Sequence, residues 1–443
     1  MKRDLTDLLC CPNCQGDLKL HDETPEQREV ESGRLLCARC NIAYPIVRGI
    51  PRFVDSDQYV GSFSYEWNRW NRVQLDIANG RKESEETFAE KTSFTPEELR
   101  GKLVLDVGCG AGRFLDVASR WGARVIGVDL SFAVEASQQN VGNRDNVSVI
   151  QADVFRLPFR PETFDAIFSI GVLHHSRDTR EAFLQLPKLL KEGGDIAVWL
   201  YYYQDKVYNA ASDFWRAVLR PFPTSVVYAW SWLIVTLFSW LWAQPIMSRR
   251  PWGHLRRILP VNTHPDRQWR ILDTFDWYSP RYQDKECSPA RVLGWCQESH
   301  IRGVRVLDFL TSIRGRRDTA GVLPLVNWSI PDVRVKRVLV FGAGAAGRNA
   351  LQLLRRVAPR CVVGIVDNDP AKQGMVVDGH SVTRFENVRR DAYDLVVIAS
   401  LPGRAPISAQ LKAAGLVEGQ DFLMAGRVEQ WYDLIADDAL LAA

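Results

Sequence analysis

Short apolar runs that end in glycine or acidic residues recur along the chain. Residues 103–114 read LVLDVGCGAGRF, and residues 338–349 read VLVFGAGAAGRN. In each, a mostly apolar run precedes a glycine-rich turn, and apolar residues at helical spacing follow. Buried parallel strands have such runs, and a glycine turn between strand and helix lets the backbone approach a nucleotide. The pattern predicts an α/β fold with two Rossmann-like halves.

Three further strand-and-loop units follow the first glycine turn. ARVIGVDLS ends the second strand at Asp129, VSVIQADVFRLPF places Asp153 after the third, and FDAIFSIGVLHH contains the fourth. A carboxylate about twenty residues beyond a glycine loop can accept both ribose hydroxyls of a nucleotide. We therefore expect the first glycine loop and these strand ends to form one binding site.

A long apolar segment interrupts this pattern at residues 221–248. It contains no charged side chain and four of the fifteen tryptophans, and it is long enough to span a bilayer. Arginines lie on both sides, so charge gives no orientation. A membrane span would place the regions of the first and second glycine loops on opposite sides of the membrane, although both have the character of cytosolic domains. We favour an interfacial or re-entrant helix within an insert at 205–275, with an apolar lid or packed helical insert as the alternative and a membrane span as the least favoured.

Length, composition and charge narrow the picture. A chain of 443 residues exceeds what one core usually supports, so we expect two to four domains. The composition, with 46% apolar and 25% charged residues, is that of a folded protein. A net charge of +3 gives no strong nucleic-acid signal. The N-terminus has no apolar core of signal-peptide length, which predicts a cytoplasmic protein.

Five of the nine cysteines lie in the first forty residues, and four of them form two pairs. Cys11 and Cys14 form the first pair, and Cys37 and Cys40 the second. Two such pairs predict a four-thiolate zinc site, which is structural because no position is open for water. Cys10 leaves the register of the first pair ambiguous, although the proline after Cys11 favours Cys11 and Cys14. The alternative is a set of free core cysteines.

Residues 5–54 resemble the zinc-ribbon proteins that act as activating partners of tRNA, rRNA and release-factor methyltransferases. Besides the cysteine pairs, the resemblance rests on Tyr44, Pro45, Ile46, Gly49, Ile50 and Pro51. In those partners the ribbon carries no chemistry and steadies or activates a methyltransferase. The resemblance implies a ribbon that supports a methyltransferase on the same chain.

The first glycine loop has an acid-x-Gly-x-Gly-x-Gly spacing that begins at Asp106. It resembles motif I of class I S-adenosylmethionine-dependent methyltransferases of the broad type 11, ubiquinone-pathway-like group. That cofactor carries no pyrophosphate but has an ammonium group that an acid can meet. The resemblance covers residues 101–200 and extends to SFSYEW upstream and DWYSPRY at 276–282. It implies S-adenosylmethionine as the cofactor, with the adenine amine at Asp153. The predicted cofactor-binding residues are Asp106, Gly108, Cys109, Gly110, Gly112, Asp129, Leu130, Asp153 and Val154.

Two histidines after the fourth strand are candidate catalytic residues. A sulfonium methyl group is already activated, so the protein mainly aligns the acceptor, and only a weakly acidic acceptor also needs a base. His174 and His175 lie where such a base would be, with a packing or capping role as the alternative. Tyr278 and Arg281 are candidates for orienting an anionic acceptor.

Two missing motifs bear on the acceptor. The fourth strand ends in SIGV, without the Asn-Pro-Pro-aromatic motif of methyltransferases that act on exocyclic amines and glutamine amides. No cysteine lies beside that loop for pyrimidine C5 chemistry. Together with the small net charge, these absences make an RNA or protein acceptor less favoured than a small molecule.

The second glycine loop is predicted as a second nucleotide site made of Gly342, Gly344, Gly347 and Asp367. GAGAAGR and the following VVGIVDNDPAKQGMVVDGHSV resemble the C-terminal domain of deoxysugar C-methyltransferases and the N-terminal nucleotide-sugar-binding domain of bacterial sugar acyltransferases. This resemblance implies a role in glycan or deoxysugar chemistry. A degenerate domain that packs or dimerises is the alternative.

These observations predict four regions: a zinc ribbon at 1–55, a helical linker at 56–100, a class I methyltransferase domain at 101–322 with the apolar insert, and a Rossmann-like domain at 332–443. The predicted function is methylation of a small molecule, namely a sugar, nucleotide sugar or lipid-linked glycan intermediate, with peripheral membrane contact through 221–248. The alternative is an RNA or protein methyltransferase with a built-in ribbon activator, and a non-catalytic nucleotide-binding scaffold ranks third.

Overall fold

A computed structural model describes residues 1–22, 29–56, 59–202, 206–242, 258–307, 311–326, 336–357, 360–400 and 403–425. The chain divides into two compact units, Met1–Cys287 and Ser288–Ala443. The four predicted regions differ from this division, and their limits stay predictions. Residues 243–248 of the apolar segment and residues 426–443 of the predicted C-terminal domain lie outside the described residues.

The first unit begins with a small antiparallel sheet. Its strands follow a 3-10 helix at Arg3–Leu8 and pair in the order β1-β2-β3-β4. The strands are β1 Leu18–Asp22, β2 Gly33–Cys37, β3 Ala43–Val47 and β4 Ile50–Pro51. In β3, buried Tyr44 and Ile46 alternate with exposed residues, as expected for a strand with one solvated face. One cysteine pair, Cys11 and Cys14, precedes β1, and the other begins at Cys37, the last residue of β2, and ends at Cys40 in the turn that follows.

Four short helices connect the ribbon to the central sheet. They are α1 Gly61–Arg69, α2 Asp76–Asn79, α3 Glu83–Thr92 and α4 Pro96–Leu99. Thr95 and Glu98 cap α4 reciprocally, which satisfies free N–H groups at its start. Phe88, Phe94 and Leu99 are buried in the core of the sheet that follows. The stretch predicted as a helical linker is helical and contributes to this core.

The central part of the first unit is a five-stranded parallel arrangement. Its strands are β5 Leu103–Val107, β6 Arg124–Asp129, β7 Val147–Gln151, β8 Phe164–Ile170 and β9 Leu190–Trp199. They pair in the order β9-β8-β5-β6-β7. The helices α5 Arg113–Arg120, α6 Ala133–Val141 and α7 Thr179–Gln185 connect them. The strand order reverses at β5, and in such sheets ligands bind at the carboxyl ends beside that point.

Three longer helices complete the first unit. They are α8 Lys206–Leu219, α9 Thr224–Trp242 and α10 Arg267–Tyr278. One face of α9 packs on α10, with Ile234 and Val235 in the same cluster as Leu272 and Phe275. The stretch Thr224–Leu241 is long and apolar enough to cross a membrane, and 28% of it is buried. The apolar segment therefore has a packed face and an exposed face.

The second unit contains a mostly parallel sheet with one antiparallel pair of strands at its edge. It begins with helix α11 Pro289–Glu298 and the antiparallel strands β10 Ile301–Val306 and β11 Ser312–Arg317. The sheet has the order β14-β15-β13-β12-β16-β17. Its strands are β12 Val338–Phe341, β13 Val362–Val366, β14 Val376–Val377, β15 His380–Thr383, β16 Leu395–Ile398 and β17 Phe422–Met424, with helices α12 Ala345–Val357 and α13 Arg404–Ala413. Residues of β12 alternate between two hydrophobic clusters, so both faces are covered. The second unit therefore contains a second α/β domain, as the sequence predicts.

Candidate active site

The glycine loop after β5 forms a tight turn that only glycine accommodates. Gly108, Gly110 and Gly112 all have positive φ angles, of 84°, 50° and 89°. A Cβ atom on Gly108 would lie 2.3 Å from Cγ1 of Val172. The Gly108 N–H also donates to the Val128 carbonyl at 2.7 Å, which ties the loop to β6. Because the glycines have no side chains, the loop leaves space beside the strand ends, where a cofactor would pack.

Two acidic residues lie against this loop. Asp106 is 2% exposed, and its Oδ2 atom is buried without a partner among the described residues. Burial, followed by the charge of Asp129, raises the pKa of Asp106 well above its ordinary value. Asp129 accepts hydrogen bonds from Gly110 N at 2.9 Å and from Ser131 N at 2.8 Å. A buried carboxyl oxygen without a partner is costly and fits a cationic group such as the cofactor ammonium.

A cavity of about 420 Å³ brings most of the predicted cofactor residues together. Among the predicted residues, its lining includes Gly108, Cys109, Gly110, Asp129, Leu130, Asp153, Val154 and His175. Asp153 caps the turn after β7, where its Oδ1 accepts from Phe155 N at 3.0 Å. Asp106, within β5, and Gly112, at the end of the loop, are not among the lining residues. The strand ends therefore converge as the sequence predicts.

The two histidines have different environments. His174 is fully buried, stacks on Tyr201 at 3.7 Å between ring centroids, and is not among the lining residues of the cavity. His175 lines the cavity and its Nδ1 donates to the Tyr282 carbonyl at 3.0 Å, which leaves Nε2 as the acceptor nitrogen. Burial lowers the pKa of His175 to about 3, although the hydrogen bond to Tyr282 opposes this. Of the two, only His175 is placed to meet a ligand.

The cavity also contains three carboxyl groups to which the sequence assigned no role. Glu66 on α1 is fully buried, and neither of its carboxyl oxygens has a partner among the described residues. Asp273 and Asp276 on α10 also line the cavity. Burial, and to a smaller extent the charge of Asp276, raises the pKa of Asp273 to about 7. Burial also raises the pKa of Asp276 to about 6. In the sequence, Glu66 lies in SFSYEW and Asp276 in DWYSPRY, so these two motifs could have indicated both residues as part of the site.

Aromatic and cationic side chains complete the lining. Trp67, Trp199, Trp269 and Trp277 contribute their rings. Lys91 Nζ lies 3.2 Å from the ring centroid of Trp199, and burial, then Arg113, lowers the pKa of Lys91 well below its ordinary value. This end of the cavity offers carboxyl acceptors beside flat apolar surfaces.

The cysteine pairs meet as predicted. The Sγ atoms of Cys11, Cys14, Cys37 and Cys40 lie within 4.8 Å of one another. A tetrahedral zinc site with Zn–S bonds of about 2.3 Å places its sulfurs about 3.8 Å apart, so this donor set fits zinc. Cys10 Sγ instead lies 3.1 Å from Gln15 Oε1 and is outside the cluster. The geometry selects Cys11 over Cys10.

The second glycine loop is equally tight. A Cβ atom on Gly347 would lie 1.8 Å from the Gly342 carbonyl oxygen, and one on Gly342 would lie 2.8 Å from the Ala399 carbonyl oxygen. A Cβ atom on Gly344 would meet nothing within 4 Å. Asp367 Oδ2 accepts from Ala343 N at 2.8 Å and from Lys372 Nζ at 3.0 Å. Its carboxylate is thus engaged by the protein itself, and nucleotide binding at this loop stays a prediction.

The remaining predicted side chains lie outside the first cavity. Tyr278 is buried and donates its hydroxyl to the Pro260 carbonyl at 2.9 Å, which leaves it a structural role. Arg281 is exposed and lies beside Tyr282, 5.7 Å from the ring centroid.

Three stretches of the chain match known families. Residues 105–198 match a methyltransferase domain, residues 2–49 match the Trm112p-like proteins, and residues 334–420 match the family described as C2185-like, N-terminal. The first match contains every predicted cofactor residue, and the second contains the four cysteines of the metal site.

Curated relatives share the methyltransferase region. Demethylmenaquinone methyltransferase of Thermobifida fusca (strain YX) is 32% identical over 30% of this chain and 56% of its own length. Phosphoethanolamine N-methyltransferase 1 of Arabidopsis thaliana is 33% identical over 34% of this chain and 30% of its own length. Probable tRNA methyltransferase 9B of Mus musculus is 33% identical over 26% of this chain and 25% of its own length.

The chain spans only part of each relative, from 25% to 56% of its length, and the three names give three different acceptors. The similarity therefore concerns the methyl-transfer domain and leaves the acceptor open. The cofactor cavity and the family match agree on the same strands and loops. Residues 105–198 are a class I S-adenosylmethionine-dependent methyltransferase domain, and a Trm112p-like domain with a four-cysteine metal site precedes it in the same chain.

Proposed function

We propose that the protein transfers a methyl group from S-adenosylmethionine to a small molecule, namely a sugar, a nucleotide sugar or a lipid-linked glycan intermediate. The observation that carries the proposal is the cavity of about 420 Å³, which extends from the glycine loop to the carboxyl groups of α1 and α10. Small-molecule sites are concave and have volumes of about 300–1,000 Å³. An acceptor in this cavity meets the cofactor site directly.

The acceptor end of the cavity suits a polyhydroxylated molecule. Carboxyl oxygens of Glu66, Asp273 and Asp276 accept hydrogen bonds from hydroxyl groups, and buried polar atoms need such partners. The tryptophan rings offer flat apolar faces that the C–H face of a sugar ring covers. This combination supports a sugar-containing acceptor more than a purely apolar one.

Some residues of the chain would bind the cofactor, and others would accept a proton from the methyl acceptor. Asp106 would hold the cofactor ammonium, Asp129 the ribose hydroxyls and Asp153 the adenine amine. When bound, S-adenosylmethionine supplies an activated sulfonium methyl group. The cavity walls align the acceptor hydroxyl with that methyl group, which contributes about 7–11 kcal/mol, and exclude water.

A hydroxyl acceptor also needs a base, and two groups qualify. Asp276 has an unpartnered buried Oδ1 atom among the described residues, and its pKa of about 6 leaves it ionised at neutral pH. The Nε2 atom of His175 is the second candidate, because Nδ1 carries the proton that it donates to Tyr282. We favour Asp276 over His175, since a base works best with a pKa near the operating pH. Asp273, with a pKa of about 7, is less suited because its two carboxyl oxygens already accept hydrogen bonds from Gln74 and Asn262.

The Trm112p-like match supports one alternative function. A ribbon of this family on the same chain as the methyltransferase domain fits a built-in activator of an RNA or protein methyltransferase. The small net charge and the concave cavity of small-molecule size favour the small-molecule acceptor. For either acceptor we propose a cytoplasmic protein that contacts a membrane peripherally through α9.

The test is transfer of labelled methyl from S-adenosylmethionine into host extract, followed by separation of lipid, small-molecule, RNA and protein fractions. We expect label in the lipid or small-molecule fraction. Asp129→Asn should abolish the transfer, because it removes the carboxylate at the ribose position, whereas Asp145→Asn at an exposed site should leave it unchanged. Label in RNA or protein would replace our proposal with the alternative, and no transfer into any fraction would contradict both.

A further inference from the structure

A second cavity of about 590 Å³ in the first unit has a basic lining. It lies among α8, the start of α9 and the loop Ser279–Gln283, and three arginines line it: Arg216, Arg220 and Arg281. Arg220 and Arg281 are exposed, and neither forms an ion pair with another described residue. Such a group of arginines is suited to a phosphate, whose oxygens accept several N–H donors at once.

The third arginine is fixed rather than free. Arg216 Nε donates to the Trp277 carbonyl at 3.0 Å, and one of its Nη atoms donates to Ser212 Oγ at 2.8 Å. The acid in the lining, Asp213, pairs with Lys285 at 2.6 Å and with Arg216 at 3.9 Å. Arg216 is therefore fixed in the wall of the cavity with its charge partly balanced by Asp213, and Arg220 and Arg281 are the arginines left for an anion.

The start of α9 adds a second feature that favours an anion. Thr224, the first residue of this 19-residue helix, lines the same cavity. The first N–H groups of a helix have no partner within the helix, and its dipole places partial positive charge at that end. A phosphate in the cavity would meet these groups as well as the arginines.

The cavity opens onto an apolar surface. Phe222 lines the cavity and is 52% exposed. Other large apolar side chains of α8 and α9 are exposed as well, and with Phe222 we call them the apolar surface of α8 and α9: Phe214, Val218, Val226, Leu233 and Leu237. Several exposed apolar side chains on neighbouring helices are typical of a surface that binds a partner or a membrane. Its position beside a basic cavity fits a molecule that joins an apolar chain to a phosphate.

The second cavity also adjoins the first. Tyr59 lines both cavities, and its ring packs edge-on against that of Tyr282 at 5.3 Å between centroids. Tyr59 therefore belongs to the walls of both cavities, and Phe222 belongs both to the second cavity and to the apolar surface.

We propose that the second cavity is a phosphate-binding subsite for a lipid phosphate that carries the methyl acceptor. The lipid chain lies on the apolar surface of α8 and α9, the phosphate binds Arg220, Arg281 and the start of α9, and the acceptor group enters the first cavity. Binding makes and breaks no covalent bond. The identity of the attached group as the methyl acceptor rests on the proposed function, whereas lipid-phosphate binding does not.

The test uses the full-length protein and sedimentation with vesicles, without methyl transfer. Vesicles of phosphatidylcholine are compared with vesicles that also contain phosphatidic acid, whose headgroup is a phosphate monoester. We expect phosphatidic acid to increase the bound fraction, and Arg220→Ala and Arg281→Ala each to weaken this binding about five-fold. Arg72→Ala, at an exposed arginine that lines neither cavity, is the matched control and should bind like the original protein.

Equal binding of the arginine variants and the original protein to phosphatidic acid vesicles would overturn the proposal. Equal binding to both vesicle types would also overturn it, because the apolar surface alone would then account for the interaction. Competition by inorganic phosphate in the original protein, lost in Arg281→Ala, would support the subsite. If methyl transfer fails in the extract assay while vesicle binding persists, the proposed function fails and the subsite stands.

Discussion

His175 and Asp276 respond to burial in opposite directions. Burial lowers the pKa of His175 to about 3, so its ring is neutral throughout the physiological range. Burial raises the pKa of Asp276 to about 6, with Arg216 opposing the shift. Each group could accept a proton as the free base, but between about pH 5 and 8 only the carboxyl group changes its charge. The pH dependence of turnover therefore distinguishes them.

We expect turnover to fall as the pH drops from about 8 to 5, because protonated Asp276 cannot accept a proton. Asp276→Asn should lower kcat by about 10²-fold and remove this acidic limb. His175→Gln should keep the limb. The measurement is kcat against pH with saturating cofactor and acceptor. A limb that persists in Asp276→Asn and disappears in His175→Gln would assign the base to His175.

At the scale of elements, the N-terminal sheet has strands of at most five residues and little core of its own. A small unit of this kind usually needs a metal or disulfides for stability. Its cysteines are free, and four of them converge. The Tyr44 hydroxyl also lies 3.2 Å from Cys11 Sγ, so it can donate to the thiolate that a zinc ion requires. Zinc binding and folding of the ribbon should therefore be one process.

Cys37→Ser should abolish zinc binding and unfold the ribbon, because structural zinc contributes about 10–16 kcal/mol of apparent binding free energy in small domains. Cys10→Ser, at a thiol outside the cluster, should retain one zinc per chain. Zinc content by elemental analysis and limited proteolysis of residues 1–55 are the measurements. Loss of zinc in Cys10→Ser but not in Cys11→Ser would mean that the ligand set is shifted by one residue.

At the scale of the first unit, hydrogen bonds connect the ribbon to the loop that follows β6, which lines the cavity. Arg52, which follows β4, is 8% exposed and donates to Gln151 Oε1 and Glu135 Oε1, each at 2.6 Å. Gln151 Nε2 in turn donates to the carbonyl of Leu130, a cavity-lining residue, at 3.0 Å. Arg48 also pairs with Glu135 but is mostly exposed. The ribbon can thus position the loop that follows β6.

Arg52→Ala should raise the Kd for S-adenosylmethionine about ten-fold, because a lost charged hydrogen bond costs about 1.5 kcal/mol or more and the Leu130 carbonyl loses its support. Arg48→Ala should change it less than about two-fold, since exposed ion pairs contribute little. Calorimetric titration of the full chain with the cofactor measures both. Equal affinities of the two variants would show that the ribbon does not position the loop that follows β6.

The sequence by itself determined the features that depend on neighbouring residues. The glycine loops, the strands before Asp106 and Asp129, and the cysteine pairs follow from backbone conformation and ligand spacing, which operate over a few residues. The parallel sheets and the four-thiol cluster agree with these predictions. The histidines mark the limit of this reasoning, because His174 and His175 are both buried and spacing cannot tell that only His175 lines the cavity.

Only the tertiary structure decided what surrounds the acceptor. Glu66 and Asp276 come from helices far apart in the chain, and their meeting in one cavity depends on how α1 and α10 pack. Packing also decided that α9 has one buried and one exposed face, and that Arg220 and Arg281 line the same cavity. Burial and long-range contact set these properties, and neither is contained in the local pattern of residues.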